Sequence, residues 1–538
     1  MDRRDFIATS AASAATAALA SLPQAASAQS RPQDVLLAAT EFGPNSLDIH
    51  TVGANRASYG VSWVCYDRLM TYGKKTLADG RVVYDITKLE PELAESWKIA
   101  PDGNSVSFKL RKNAKFHDGT PVTARDVKWS FDRAVSVGGF PTFQMAAGSL
   151  EKPEQFEAVD DHTFVVKFLR RDKLAMNDLA VPVPCIFNAE LVKKNATAQD
   201  PWGLAFTRNN TAGGGAYKVE AFRPGQEIIY VRNDDWACGA SPKLRRIVQR
   251  EVPNAGNRRA LLVKGDIDIT FDLPPKDFAE LSKEGGPVKV SSTPIENAMY
   301  YLGMNTTRAP FNNPKLRQAV AYALPYDKML ETALYGRGIK LYGAASAQIK
   351  TTAWPQATAY QTDIAKAKAL MVEAGLGAGF ETTLSFDLGG ATISEPMAVL
   401  IQESLAQIGI KTTINKIPGA TWRSALLKKD MPLLINRFGG WLNYPEYFFF
   451  WCYHGQNAVF NTMGYQNAKL DKIITNARFA ESKPLYDAFV KDMIQIGYDE
   501  VPRVPMFQPT MDVAMRKEVQ GYQYWFHLQP DYRQLFKA

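Results

Sequence analysis

Thr382-Thr-Leu-Ser-Phe-Asp-Leu-Gly-Gly-Ala-Thr-Ile-Ser-Glu-Pro-Met-Ala-Val-Leu-Ile-Gln-Glu-Ser-Leu-Ala-Gln-Ile-Gly-Ile-Lys-Thr-Thr-Ile414 contains a strand, a helix and a second strand in succession. Thr382 to Phe386 is rich in β-branched and aromatic residues and reads as a strand. Ser394, with Pro396 just inside, is expected to open a helix. Met397, Leu400, Ile401, Leu405 and Ile408 fall on its inward face. Gly409 ends it, and Ile410, Thr412 and Ile414 alternate as the next strand. A β-α-β unit implies a parallel pair with a right-handed crossover. This region is therefore expected to be an α/β lobe.

The neighbouring segments agree. Asn313 and Pro314 start a helix with an apolar stripe of Leu316, Ala319, Val320, Ala323 and Leu324. Another runs from Asp363 to Ala374 and stops at Gly375. The run Leu433-Leu-Ile435 reads as a strand leading into Asn436-Arg-Phe-Gly-Gly-Trp441. The loop 438–447 would then lie beyond that strand's carboxyl end, where open α/β sheets bind ligands. Gly439 and Gly440 permit close backbone approach. Trp441 and Tyr444 offer flat faces, and Arg437, Asn443 and Glu446 offer polar handles.

Towards the N-terminus the pattern changes. Residues 105–111 and 163–169 alternate as half-buried strands, through Val106, Phe108 and Leu110 and through Phe164, Val166 and Phe168. Between them Thr123-Ala-Arg-Asp126 starts a helix that buries Val127, Ser130, Phe131 and Ala134. A small α+β unit is expected up to about residue 205. Asn210 to Gly215 marks its boundary, and a hairpin follows over 216–232. Leu261 to Val263 end a helix at Gly265, before a short strand over 266–270.

The length of 538 residues suggests about two to four domains at roughly 100–200 residues each. The chain is 46% hydrophobic and 22% charged, which excludes disordered, collagen-like and coiled-coil classes. The net charge of +8 is spread without a basic block, so no nucleic-acid partner is expected. No apolar run after residue 30 is long enough to span a membrane.

Arg3-Arg-Asp-Phe-Ile7, an Ala-rich stretch to Leu22 and Ala26-Ser-Ala28 read in order as a twin-arginine signal peptide, residues 1–28. A periplasmic mature protein beginning near Gln29 is expected. No Cys sits at the cleavage site, so no lipid anchor is expected. Cys65, Cys185, Cys238 and Cys452 allow a disulfide in that compartment, with the pairing open. His50, His117, His162, His454 and His527 are too scattered to suggest a metal cage. The sequence holds no G-x-S-x-G elbow, H-E-x-x-H, Walker A loop or post-strand G-x-G-x-x-G. No catalytic residue, metal or cofactor is expected, and the protein reads as a binder rather than an enzyme.

A longer signature carries a resemblance. It comprises Pro91-Glu-Leu-Ala-Glu-Ser-Trp97, Asp102-Gly103, Phe108-Lys-Leu-Arg111, Lys115-Phe-His-Asp-Gly-Thr-Pro-Val-Thr-Ala-Arg-Asp-Val127 and Ser130-Phe131. Together these resemble the signature of family 5 bacterial extracellular solute-binding proteins, the dipeptide-, oligopeptide- and nickel-binding components of ABC importers. Tyr66-Asp-Arg-Leu69, Gly213 to Tyr217, Arg232-Asn-Asp-Asp-Trp236, Asn305, Pro310-Phe311 and Leu316 to Ala323 continue it in order. His117 and Asp118-Gly119 are expected to be structural within this signature.

The resemblance implies an α/β, two-lobed periplasmic-binding-protein clamp with an additional α+β domain. Lobe I is expected from 31–79, 210–292 and 499–538, the additional domain from 80–209, and lobe III from 293–498. Hinge crossings are expected near 292 and 498. The implied role is capture of a di- or oligopeptide between the lobes by a monomer that delivers it to an inner-membrane ABC permease. The alternative is a non-peptide ligand: an opine, an oligosaccharide or a nickel chelate. A sensor-docking receptor and a secreted hydrolase are the readings outside transport. By position, the resemblance implies ligand contacts from Val52, Gly53, Ala54 and Asn55 and from Gly440, Trp441 and Leu442, with Arg437 meeting a ligand carboxylate. Peptide-binding relatives place an Asp shortly after the loop Trp, against the ligand's amino group. Here Asn443 is nearest, one residue short in spacing. Either Glu446 supplies the carboxylate, which is the expectation, or the ligand has no free amine at that end.

Overall fold

The computed structural model describes residues 32–283, 285–457, 460–524 and 528–538. The twin-arginine segment, its cleavage site and His527 lie outside them.

Two large sheets organise the chain. The first has seven strands, in the order Val288–Pro294, Thr510–Arg516, Ile269–Thr270, Val35–Thr40, Arg246–Glu251, Glu227–Arg232 and Tyr217–Arg223. Val35–Thr40 pairs in parallel with the strands on both sides. This sheet is the framework of lobe I. The second has six strands, in the order Ile339–Lys340, Arg503–Gln508, Ala298–Met304, Leu433–Gly439, Phe380–Asp387 and Ile410–Ile417. It is the framework of lobe III.

The β-α-β unit is present, with Phe380–Asp387 and Ile410–Ile417 parallel over their full lengths. Its helix runs Ala391–Ala406, so it begins ahead of Ser394. A short 3-10 turn, Leu388–Gly390, leads into it, with the Asp387 carboxylate accepting from the Gly389 amide at 2.9 Å. Pro396 therefore sits within the helix. Thr392 and Pro396 are both exposed, so the carbonyl that Pro396 cannot serve can meet water. Met397, Ile401 and Leu405 are fully buried, as the apolar stripe requires.

A four-stranded antiparallel sheet, in the order Ala94–Ile99, Ser105–Leu110, Thr163–Lys167 and Phe156–Ala158, forms the additional domain. The helix Ala124–Ser136 covers it, started by a Thr123–Asp126 capping box. Phe131 meets Phe156 and Phe164 edge-on, each at 5.3 Å.

The chain passes from the first sheet to the second between Pro294 and Ala298, and returns between Gln508 and Thr510. The second crossing falls later than the expected 498. Arg503–Gln508 follows the helix Lys483–Glu500 and still pairs with Ala298–Met304. A hairpin, Met70–Thr76 with Val82–Pro91, straddles the expected boundary at 79/80. The strand expected over 266–270 is reduced to Ile269–Thr270. All four cysteines are buried free thiols. Burial pushes Cys185 and Cys452 up to about 12. No described helix is long and apolar enough to cross a membrane.

Candidate functional site

The carboxyl ends of the parallel strands in both lobes open onto one cavity of about 1190 Å³. Thr40, Gln249 and Phe271 reach it from lobe I, and Asp387, Asn436 and Arg437 from lobe III. This is where open α/β sheets present ligand sites, because the strands end there and the following helices begin there. A second, shallower hollow of about 850 Å³ lies on the four-stranded sheet around Trp97, Lys109 and His162. It is built by that one sheet, whereas the interlobe cavity is built by both lobes.

The helix starts on the cavity wall have local causes. Asn55 caps Arg56–Cys65: its side-chain oxygen accepts from the Ser58 amide at 3.0 Å and its amide donates to the Gly43 carbonyl at 2.8 Å. Asn254 caps Ala255–Lys264 in the same way, accepting from Asn257 at 2.9 Å. The helix Ala391–Ala406 has no side-chain cap, and its Gly389 and Gly390 face the cavity.

Charge is distributed unevenly over this wall. Glu41 and Asp272 lie together, the Glu41 amide donating to the Asp272 carboxylate at 3.0 Å. Desolvation, then repulsion from Asp272, raises the Glu41 carboxyl, and desolvation raises Asp272. Arg258 is nearby, but its guanidinium donates to the carbonyls of Val252, Pro253 and Asp272. Arg437 lies over the Tyr300 ring at 5.7 Å. Arg56 is open to solvent at the cleft, yet enough protein surrounds it for desolvation, and then Arg437, to pull it down to about 10.

Of the residues expected from sequence, Asn55 and Arg437 line the cavity. Val52 is 62% exposed and leans towards the additional domain: a Cβ built on Gly139 would come within 3.3 Å of a Val52 methyl. Gly53 is exposed and Ala54 half-buried beside it. The loop from Gly440 onward turns away from the cavity and forms a seam with the additional domain. Trp441 is wedged edge-on against Tyr59 at 5.4 Å and Phe140 at 4.9 Å. Gly440 donates its amide to the Asn297 carbonyl at 3.1 Å, and the buried Leu442 accepts from the Asn297 side chain. Asn443 donates to Glu296 at 2.8 Å, and Glu296 also pairs with Lys75 at 2.6 Å. Glu446 is buried, 2.8 Å from Lys173 and 2.9 Å from the Tyr486 hydroxyl. Tyr444 accepts from Asn177 at 2.7 Å.

The loop departs from the expectation because the strand continues to Gly439 and the helix Pro445–Cys452 begins soon after. Little chain is left to project into the cleft. Glu41, Arg56 and Asp272 were missed by sequence reasoning. The signal was their position just past strand ends or at a helix start. Among the described residues, no group of three or more His, Cys, Asp or Glu is placed to hold a metal ion.

The family model for bacterial extracellular solute-binding proteins, family 5, matches residues 88–460. The chain belongs to this family of two-lobed solute-binding proteins. It is 31% identical over 499 residues to the probable D,D-dipeptide-binding periplasmic protein DdpA of Escherichia coli (strain K12), covering 91% of this chain and 92% of that one. Its fold is similar to the ABC transporter-associated periplasmic binding protein DppA from Helicobacter pylori in complex with peptide STSA. The TM-score is 0.78 at 22% identity, over 94% of this chain and 98% of that one. The PBP AgaA in complex with agropinic acid, from A.tumefacien R10, gives a TM-score of 0.76 at 25% identity, over 94% and 99%.

Proposed function

We propose that this protein is the periplasmic solute-binding component of an ABC importer, and that it captures a dipeptide or short oligopeptide in the interlobe cavity. The observation that carries this reading is the single cavity built from the strand ends of both lobes, in a chain 31% identical to a probable D,D-dipeptide-binding protein along most of its length. A ligand that contacts both lobes favours the closed state, which a permease can then recognise. Arg437 and Asn55 are the proposed contacts among the residues expected from sequence. The Glu446 carboxylate is engaged by Lys173 and Tyr486 in the seam, which argues for an amine partner elsewhere. Arg3 and Arg4 are proposed to direct export through the twin-arginine route, and the exported chain to act as a monomer that binds without catalysis.

The agropinic-acid complex supports the second reading, an opine-like ligand in the same cavity. Calorimetry separates the two. A true ligand at 100 times its dissociation constant stabilises the fold by about 2.7 kcal/mol. D-Ala-D-Ala, L-Ala-L-Ala and longer peptides are compared with agropinic acid. A shift with a peptide supports the first reading. A shift with agropinic acid and no peptide, up to millimolar concentration, replaces it by the second.

A further inference from the structure

Three parallel strands of lobe I end side by side at the interlobe cavity. Glu41 directly follows Val35–Thr40, Asp272 follows Ile269–Thr270 by two residues, and Gln249 lies near the end of Arg246–Glu251. Ala39 pairs with Thr270 on one side, and Ala38 with Gln249 on the other. Thr40, Glu41, Gln249 and Asp272 all line the cavity.

The two carboxylates are held close but not neutralised. The Glu41 amide donates to one Asp272 oxygen at 3.0 Å. Neither carboxylate forms an ion pair among the described residues. Arg258, the nearby cation, directs its guanidinium to the carbonyls of Val252, Pro253 and Asp272 instead. Two ionised carboxylates beside one arginine leave a negative charge uncompensated at the cavity. Two more groups on this wall lack partners. Thr40 and Gln249 are each only 7% exposed. The Thr40 hydroxyl has no hydrogen bond. Gln249 Oε1 accepts from the Tyr532 hydroxyl at 2.8 Å, and its side-chain nitrogen has no acceptor among the described residues. Buried polar groups without partners are costly, and a ligand in the cavity can supply them.

We propose that Glu41, Asp272 and Thr40 form an ammonium subsite on the lobe I wall. An ammonium presents three donors, and the two carboxylates and the hydroxyl present acceptors. The loop after Trp441 in lobe III, where the amine was expected, has its carboxylate Glu446 engaged by Lys173 and Tyr486. The unengaged carboxylates are on the opposite lobe. The ammonium comes from a peptide's terminal amine or from a lysine side chain. Gln249, a donor, fits the carbonyl that neighbours a terminal amine and favours that source. The source rests on the peptide reading; the subsite does not.

Titration calorimetry tests the subsite with D-Ala-D-Ala, L-Ala-L-Ala, their N-acetylated forms and N-acetyl-Lys-Ala. The proteins are wild type, Glu41→Gln, Asp272→Asn and Asp512→Asn. Asp512 lines the same cavity but is already paired with Arg337 at 3.0 Å, so it controls for the general field. Wild type should bind a free dipeptide at least about tenfold more tightly than its N-acetylated form, as charged hydrogen bonds allow. Glu41→Gln and Asp272→Asn should each lose most of that preference, and Asp512→Asn should keep it. N-acetyl-Lys-Ala bound as weakly as the other acetylated forms assigns the terminal amine. Bound as tightly as a free dipeptide, it assigns a side-chain ammonium; either result supports the subsite. No preference in wild type, one that survives both Glu41→Gln and Asp272→Asn, or one lost equally in Asp512→Asn would overturn it. Should no dipeptide bind, free or acetylated, the peptide reading fails and simple cations decide the subsite. Wild type should melt higher in about 50 mM ethylammonium chloride than in tetramethylammonium chloride, which has no N–H donor, and Glu41→Gln should not distinguish them. Equal melting of wild type in the two salts would then overturn the subsite.

Discussion

Lys173 Nζ lies 2.8 Å from the Glu446 carboxylate, which ties the additional domain to lobe III across their seam. Glu446 is fully buried, whereas the Lys173 side chain keeps 30% of its exposure. Lys173 also donates to the Ala477 carbonyl at 2.8 Å and lies 3.6 Å from the Tyr486 ring centroid. Arg478 repeats the pattern one step along the seam, 2.5 Å from the buried Asp172. These contacts join parts of the chain about 300 residues apart.

Removing the carboxylate is expected to cost stability rather than ligand selectivity. Breaking a fully buried pair costs about 3–5 kcal/mol. Lys173 can turn towards water, so Glu446→Gln should cost about 2 kcal/mol in urea unfolding. Paired with Lys173→Met, the two changes should be clearly non-additive. The preference for a ligand over its N-acetylated form should be unchanged. A variant of normal stability that loses this preference would return Glu446 to the ligand site.

The seam also holds Asp178, fully buried and accepting from the Gln144 side chain at 2.5 Å. Gln144 in turn accepts from Tyr447 of lobe III at 2.9 Å. Desolvation raises the Asp178 carboxyl well above its usual value. An acid raised in this way loses stability as pH rises from its unfolded value towards its folded one, because only the unfolded chain gives up the proton. Asp178→Asn keeps the shape and removes the titration. Its melting temperature relative to wild type should be higher at pH 7.5 than at pH 4. An unchanged difference between these pH values would exclude the titration.

Gly440 has a packing reason to be glycine. A Cβ there would lie 2.7 Å from the Asn297 amide nitrogen and 2.9 Å from the Tyr447 ring. Both neighbours are buried, so neither can step aside freely. Gly440→Ala should cost about 1–3 kcal/mol by thermal or urea unfolding. Gly285→Ala, with nothing within 4 Å of the added carbon, is the control and should be close to neutral.

The parts of the fold that sequence revealed are those in which local chemistry and packing coincide. Asn313, Asp363 and Thr123 start helices where they were expected to, and Gly265 ends one. The capping residues and the buried stripes give the same boundaries in these elements. Ser394 misled because Asp387 and the two glycines start the turn earlier, a device with no apolar period to betray it. The site was only half legible for a different reason. Arg437 stood in a recognisable loop, but Glu41 and Asp272 come together only through the pairing of Val35–Thr40 with Ile269–Thr270, and Arg56 joins them on the cavity wall only in the folded lobe. Trp441 and Glu446 have the residue types of a binding loop. What they bind here is the additional domain, and no local pattern distinguishes the two uses.

The most buried charges predict how the fold responds to acid. Arg133 donates to Asp48 at 2.6 Å, and the Thr207 hydroxyl donates to the same carboxylate at 2.5 Å. Burial alone would raise Asp48, but the Arg133 charge and these hydrogen bonds outweigh it and hold it at about 2. His50 is fully buried in the same cluster, donating to the Val183 carbonyl at 2.8 Å and accepting from Arg133 at 3.1 Å. Desolvation and then the Arg133 charge lower it to about 4, so it is neutral in the fold. In the unfolded chain His50 takes up a proton near its ordinary 6.5, so its share of stability falls between about 6.5 and 4. At about 1.4 kcal/mol per pH unit that share is on the order of 3 kcal/mol. Asp48 acts lower down: its share is intact above its ordinary 3.8 and is lost as pH falls towards about 2. Urea unfolding of wild type should therefore show stability decreasing from pH 6.5 to 4 and further below that. His50→Asn, weaker overall through lost packing on Phe187, should show a flatter decline between pH 6.5 and 4 while keeping the decline below it. Parallel curves for the two proteins between pH 6.5 and 4 would mean that His50 is not the group that titrates there.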